Sequence, residues 1–196
     1  MPVTPLHYPI SYLLKRIDSR LSLPAMAVGA VIPDLEVPIL YLFYRGVFLD
    51  HFILHSLMGA LTLGLGISLF TVRYFYAPIA SKVFGIDREL AKVESRISGT
   101  MVISAIIGIL SHLLVDLTYH WYNPIFWPLV NPFAVVGPLA ILFALDGSVR
   151  FTGFLLANIL LNTIMGALWI LVILEEKDRG IWYGLLVGEH PTDIDG

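Results

Sequence analysis

Long apolar runs alternate with short charged stretches along this chain. The hydrocarbon core of a bilayer takes roughly 20 apolar residues per helix, and five windows match or approach that length. They are 21–44, 52–76, 98–121, a shorter one at 133–146, and 151–174. The first is interrupted by Pro33 and Pro38 and carries Asp34 and Glu36. Residues 1–20 predict a short amphipathic helix: Thr4-Pro5 reads as a cap with proline in the first turn, and Leu6, Ile10, Leu13, Leu14 and Ile17 recur at helical spacing. Residues 79–97 predict a second polar helix with Arg88, Lys92 and Arg96 on one face. The stretch 122–138 holds Pro124, Pro128, Pro132 and Pro138 and cannot be a continuous helix. Trp121, Tyr122, Phe126 and Trp127 there fit an interfacial aromatic belt. The pattern as a whole predicts one membrane-embedded domain over 1–196. Its fold class is an all-α polytopic bundle of about five spans with two interfacial helices.

Composition sharpens this picture. Only 14% of residues are charged and 57% are apolar, with a mean hydropathy of +0.81, whereas soluble domains carry about a quarter charged residues. A net charge of −3 provides no basic field for nucleic acid. The absence of cysteine removes disulfides and thiolate metal sites, so any metal must rest on histidine and carboxylate. The first residues lack the basic n-region of a signal peptide, and 1–20 are expected to belong to the mature protein.

Orientation follows from lysine and arginine. Five spans with a cytoplasmic N-terminus leave only Arg45, Lys177 and Arg179 outside. If residues 1–20 instead lie on the same side as His51, the bias vanishes. The expected location is the cell membrane of a prokaryote, with the histidine-bearing end facing away from the cytoplasm.

Ionisable side chains in hydrocarbon cost at least ~2.5–3.5 kcal/mol each and are functional candidates by default. Asp34, His55, His112 and Asp116 fall within expected spans, and His51 and His120 fall at span ends. His51 and His55 are spaced i, i+4, as are His112 and Asp116, and such pairs share a helix face. His120 extends the second stripe by another turn. The second and third spans run antiparallel, so these groups gather at one membrane face. His7 is a further candidate from the N-terminal helix. Imidazole with carboxylate suits a divalent metal, zinc above all. Asp34 sits beside the Pro33 break, which can aim it inward as a ligand or as a general base. Glu36, two residues on, faces roughly away and reads as structural or interfacial. Asn158 and Asn162 share a face and read as an interhelical hydrogen-bonding pair, and His190 as a solvated tail residue.

Thr4-Pro-Leu-His7, Gly29 through Pro33-Asp34, His51 through His55-Ser56, and Ser111-His112-Leu-Leu through Asp116 resemble bacterial and archaeal membrane proteins described as membrane-bound metal-dependent hydrolases. The likeness covers about residues 1–120. The order His, Asp, His, His-x-x-x-Asp also resembles the helical zinc-dependent phospholipase C and nuclease superfamily. Those enzymes' N-terminal tryptophan and later His-x-x-x-Glu pair have no counterpart here, so the resemblance implies one or two metal ions rather than three. It implies a hydrolase acting on a lipid or lipid-linked ester or phosphoester, with His7, Asp34, His51, His55, His112 and Asp116 as metal ligands and His120 as a further candidate. A transporter or proton relay using the same stripe, and a structural protein with a non-catalytic metal site, remain the alternatives.

Overall fold

The computed structural model describes residues 4–43, 51–178 and 180–188. Arg45, Asp50, Arg179 and His190 lie outside the described residues. The described residues form helices joined by turns and loops, with no strand among them. After a 3-10 turn at Thr4–His7 come α1 (Tyr8–Ile17), α2 (Leu23–Phe43), α3 (Leu57–Phe84) and α4 (Arg88–Glu94). These are followed by α5 (Gly99–Tyr119), α6 (Pro138–Leu142), α7 (Val149–Glu176) and α8 (Ile181–Leu186).

Among the described residues four helices, α2, α3, α5 and α7, are long and apolar enough to cross a membrane. The protein is therefore an integral membrane helical bundle with four such helices rather than five. The stretch 133–146 forms only the 3-10 turn Pro132–Ala134 and the five-residue α6. At 1.5 Å per residue α6 covers about 8 Å, far short of a hydrocarbon core of about 30 Å. Pro132 and Pro138 each fall where a helix begins and cannot continue one from before. The polar helix expected over 79–97 is divided. Its first part continues α3, which ends at Gly85 in the left-handed conformation (φ 71°), and Asp87 then caps α4 by accepting from Glu89 and Leu90 N–H (3.0 and 2.9 Å). α3 carries π-helical turns at Ala60–Gly64 and Val72–Tyr76. The second precedes Pro78, whose ring would otherwise meet the carbonyl four residues back.

α2 and α5 form the centre of the bundle and run parallel, backbone against backbone. A Cβ on Gly108 would lie 2.1 Å from the Met26 carbonyl oxygen, and one on Gly29 would lie 2.4 Å from that of Ala105. Small residues at facing positions allow this approach where lipid supplies no hydrophobic drive; Ala25, Ala30, Ser104 and Ala105 complete the seam, all buried. Ser104 Oγ also accepts from the Ser22 N–H (2.9 Å), fixing where α2 begins. Large apolar side chains such as Phe70, Phe151, Leu155, Ile170 and Leu171 point outward, where lipid can cover them.

α1 packs against α2 and α7. Its buried residues are Pro9, Ser11, Tyr12 and Lys15, with His7 just before it, while Leu13 and Ile17 are exposed. The polar face meets protein and the apolar face points outward, the inverse of a helix lying on water. Tyr12 bonds to Glu176, Arg16 pairs with Glu175, and Tyr8 donates to the Leu185 carbonyl (2.6 Å). α1 thus lies along α7 and antiparallel to α2, entering at the level of His7 and descending to the turn at 18–22. There Arg20 Nε and Nη2 donate to Asp18 (2.9 and 2.8 Å), holding that carboxyl down to about 2.

This path resolves the conflict between charge and histidine placement. Lys15, Arg16, Arg20, Arg73, Lys82, Arg88, Lys92, Arg96 and Lys177 all collect toward the end where α1, α3 and α7 finish and α5 begins. Arg150, stacked over the Trp121 ring at 4.6 Å, is the lone described cation at the other end.

The glycine seam yields a test. Gly108→Val should drive α2 from α5 and lower stability by about 1–3 kcal/mol or more, read as a fall in the melting temperature of the detergent-solubilised protein. Gly166→Ala, where a Cβ meets nothing within 4 Å, should leave it unchanged.

Candidate metal centre

Five imidazoles and three carboxylates converge where α2, α5, the start of α1 and the 51–56 turn meet. His7, Asp34, Glu36, His51, His55, His112, Asp116 and His120 are all buried.

His112 and Asp116 stand one turn apart on α5, with Nε2 to Oδ2 at 3.3 Å. α5 ends at Tyr119, and His120 lies one residue beyond in extended backbone; its Nε2 is still 3.9 Å from Asp116 Oδ2. Asp34 sits in a 3-10 turn at Ile32–Leu35 inside α2, with Oδ1 3.5 Å from His112 Nε2 and 3.6 Å from His55 Nε2. His7 Nε2 is 3.7 Å from Asp116 Oδ1, and its ring lies 4.1 Å from that of His112.

His51 and His55 do not share a helix face, contrary to their spacing. Ser56 is the N-cap of α3, accepting from the Gly59 N–H (3.0 Å) in extended backbone, so the helix starts after both histidines. They occupy a turn that brings the rings 4.0 Å apart and sets His51 Nε2 and His55 Nε2 each 3.4 Å from Asp116 Oδ2.

Glu36 holds that turn, a role its spacing from Asp34 concealed. One oxygen accepts from Phe52 N–H (2.5 Å) and from His55 Nδ1 (2.7 Å), and the other from Leu54 N–H (2.8 Å). It does face away from Asp34 around α2, but toward the incoming loop rather than the interface. His55 therefore lies between the two carboxylates, Glu36 on Nδ1 and Asp34 on Nε2. The readable signal was its charge within an apolar span. Two tyrosines were also missed. Tyr119 donates to Asp116 Oδ1 (3.0 Å). Tyr122, expected in an aromatic belt, is buried and accepts from the His51 N–H (3.0 Å). Asn162 bonds to Asn158 within α7 (3.0 Å) rather than to another helix.

The donor set has a specific electronic character. His112 Nδ1 is 2.7 Å from the Ala30 carbonyl oxygen, and His55 Nδ1 faces Glu36. Neither an amide carbonyl nor a carboxylate donates, so both rings carry a proton on Nδ1, and in the neutral ring Nε2 presents its lone pair inward. Those two Nε2 atoms are 3.2 Å apart, with Asp34 and Asp116 oxygens beside them. Two carboxylates and two imidazole nitrogens this close need a proton or a metal ion between them.

Bond geometry fits a metal there. A tetrahedral ion with bonds of ~2.0–2.2 Å sets its ligand atoms ~3.3–3.6 Å apart. The distances given above for Asp34, His55, His112 and Asp116 run from 3.2 to 3.6 Å, and all four donor atoms lie within 4.8 Å of one another. His51, Asp116 and His120 form a second such group. The buried histidine and aspartate groups can hold a metal ion.

Family comparison was informative. The model of the YdjM inner membrane protein family matches residues 7–188. The chain belongs to the YdjM inner membrane protein family. The matched span runs from His7 to Gly188 and contains every residue of the cluster. No curated protein and no solved structure matched.

The segment from His120 to Gly137 covers the cluster in this YdjM-family chain. Leu57 N–H donates to the Ile125 carbonyl (2.9 Å), Gly137 N–H to that of His120 (2.8 Å) and Asn123 N–H to that of Pro132 (2.9 Å). Trp127 rests on Phe52 with ring centres 4.7 Å apart.

Replacing Glu36 tests its part. Glu36→Leu strips acceptors from two backbone N–H groups and a buried imidazole and should cost about 3–5 kcal/mol, as loss of one partner of a buried polar pair does. Glu36→Gln keeps one acceptor oxygen and should cost less. Thermal unfolding of both variants in detergent measures the order.

Proposed function

We propose that this protein is a membrane-embedded metal-dependent hydrolase acting on a lipid or lipid-linked phosphoester. The observation that carries the reading is the pair of inward-facing Nε2 atoms of His55 and His112, held 3.2 Å apart with two carboxylates at tetrahedral edge distances. The resemblance of the His7, Asp34, His51/His55 and His112/Asp116 motifs to membrane-bound metal-dependent hydrolases supports the same chemistry.

Asp34, His55, His112 and Asp116 would hold one ion, and His51, His120 and Asp116 would hold a second. A divalent ion, zinc by its preference for imidazole and carboxylate, lowers the pKa of bound water toward ~7 and polarises the scissile group. The chain's own part is to hold donors in place. Glu36 and the Ala30 carbonyl fix the tautomers and ring planes of His55 and His112. Tyr119 orients Asp116, and Tyr122 pins the His51 backbone. Asp34 serves as a ligand and not as the free base. The low-dielectric surround strengthens each of these interactions.

The basic end of the bundle faces the cytoplasm, following the positive-inside bias, and puts the centre toward the extracytoplasmic side. A site near that surface suits a substrate whose head is in water and whose tails are in lipid.

Metal analysis by mass spectrometry of the purified wild-type protein should find one to two zinc per chain, and His112→Ala and Asp116→Asn should lose at least one. Glu36→Gln should weaken metal affinity about 10–100-fold by loosening the His55 ring. A wild-type protein free of bound transition metal after purification without chelators and after zinc incubation overturns the reading. Orientation has its own test, because the chain has no cysteine. An impermeant maleimide applied to intact cells should label Leu129→Cys, at a position 88% exposed. It should label Arg20→Cys only after permeabilisation; the reverse pattern inverts the topology.

A further inference from the structure

The end of the bundle opposite the metal centre carries a groove that the proposed hydrolase does not use. It has a volume of about 360 Å³ and is lined by Arg73, Lys82, Arg88 and Lys92, with Tyr74 and Ser81 between them. Arg73, Lys82, Arg88 and Lys92 are all exposed. Lys92 reaches Glu89 (2.7 Å), and Arg73 lies beside the Tyr74 ring at 5.6 Å. Lys82 and Arg88 have no ion-pair partner among the described residues. Glu89 is engaged by Lys92, and Asp87 caps α4. The groove gathers four cations in its lining and no carboxylate.

Its position identifies the occupant. α3 has 28 residues, about 42 Å at 1.5 Å per residue, and so exceeds a core of about 30 Å. Starting from Leu57, the hydrocarbon is crossed by about Tyr76, which sets the groove at headgroup depth. Exposed Phe75, Ile79 and Val83 lie on another face of the same stretch of α3, an apolar surface that acyl chains can cover at the same depth. Arginine and lysine at such a boundary favour phosphate oxygens.

We infer that the groove between α3 and α4 binds the phosphate headgroup of an anionic membrane phospholipid, with Arg73, Arg88 and Lys92 as its cationic contacts. Its α3 cations, Arg73 and Lys82, lie about 24 and 38 Å along the helix from Leu57 at 1.5 Å per residue, on either side of the hydrocarbon boundary, and the site is independent of the metal centre.

Native mass spectrometry of the full chain in neutral detergent tests this, with phosphatidylglycerol and phosphatidylcholine of the same acyl chains as probes. The wild type should retain one phosphatidylglycerol in preference to phosphatidylcholine, and added salt should weaken that retention. The triple variant Arg73→Gln, Arg88→Gln, Lys92→Gln should lose the preference, by about fivefold per cation removed. Lys177→Gln should keep it. Should the triple variant elute as aggregate, Arg88→Gln alone, at an exposed position, should reduce the preference about fivefold. Equal retention of the two lipids by the wild type overturns the inference, as does undiminished preference in the folded variants. Displacement of phosphatidylglycerol by millimolar inorganic phosphate also overturns it, by making the groove a site for free anions.

Discussion

Three carboxylates buried in a lipid-surrounded bundle are the constraint to which the rest of the structure answers. Asp34, Glu36 and Asp116 each forfeit hydration, and nothing in hydrocarbon restores it. Each must be met by donors or cations brought from elsewhere in the chain. Glu36 is met by backbone N–H groups of a turn sixteen and eighteen residues on. Asp116 is met by Tyr119 and by imidazoles from four parts of the sequence. The backbone contact of α2 with α5 follows from the same demand, because a side chain at Gly29 or Gly108 would hold Asp34 away from His112. The α2–α5 seam and the cluster are one design viewed at two depths.

That demand also explains α1. On a water-soluble protein, an amphipathic helix turns its apolar stripe inward. Here the apolar surface is cheap to leave exposed, since lipid covers it, and the polar stripe is costly to expose. His7, Ser11 and Tyr12 therefore face protein, and Ile17 faces out. Once α1 runs inside the bundle from the site level to the basic end, the histidines gather without scattering the cations.

The sequence made the helical membrane bundle legible because the hydropathy of long apolar runs depends on composition alone. The His112–Asp116 pairing was also readable, since it lies within one uninterrupted helix. Three features were not, each for a physical reason. His51 and His55 have helical spacing, but Ser56 captures the N-terminus of α3 and leaves them in a turn; a serine three residues before Gly59 was the available cue. Glu36 was set aside on angular grounds that hold around α2 but ignore what packs against its other side. The window at 133–146 is apolar enough for lipid, yet hydropathy registers transfer cost and not helix length, and prolines confine it to short turns. Tyr119 and Tyr122 carried no signal in isolation, since a tyrosine near a span end ordinarily marks the interface.

Charge balance bears on how many ions the proposed centre takes. With Asp34, Glu36 and Asp116 ionised and the five imidazoles neutral, the pocket holds three negative charges. One divalent ion leaves a single negative charge buried, and that residual charge would repel a phosphodiester. Two divalent ions reverse the sign and leave one positive charge, which an anionic phosphoester neutralises on arrival. The second donor group is compatible with the same count: His51 and His120 join Asp116 in a set separate from that of Asp34, His55 and His112, and a carboxylate can serve two cations. The two-ion form would give His51 and His120 a ligand role and would favour an anionic phosphoester over a neutral ester.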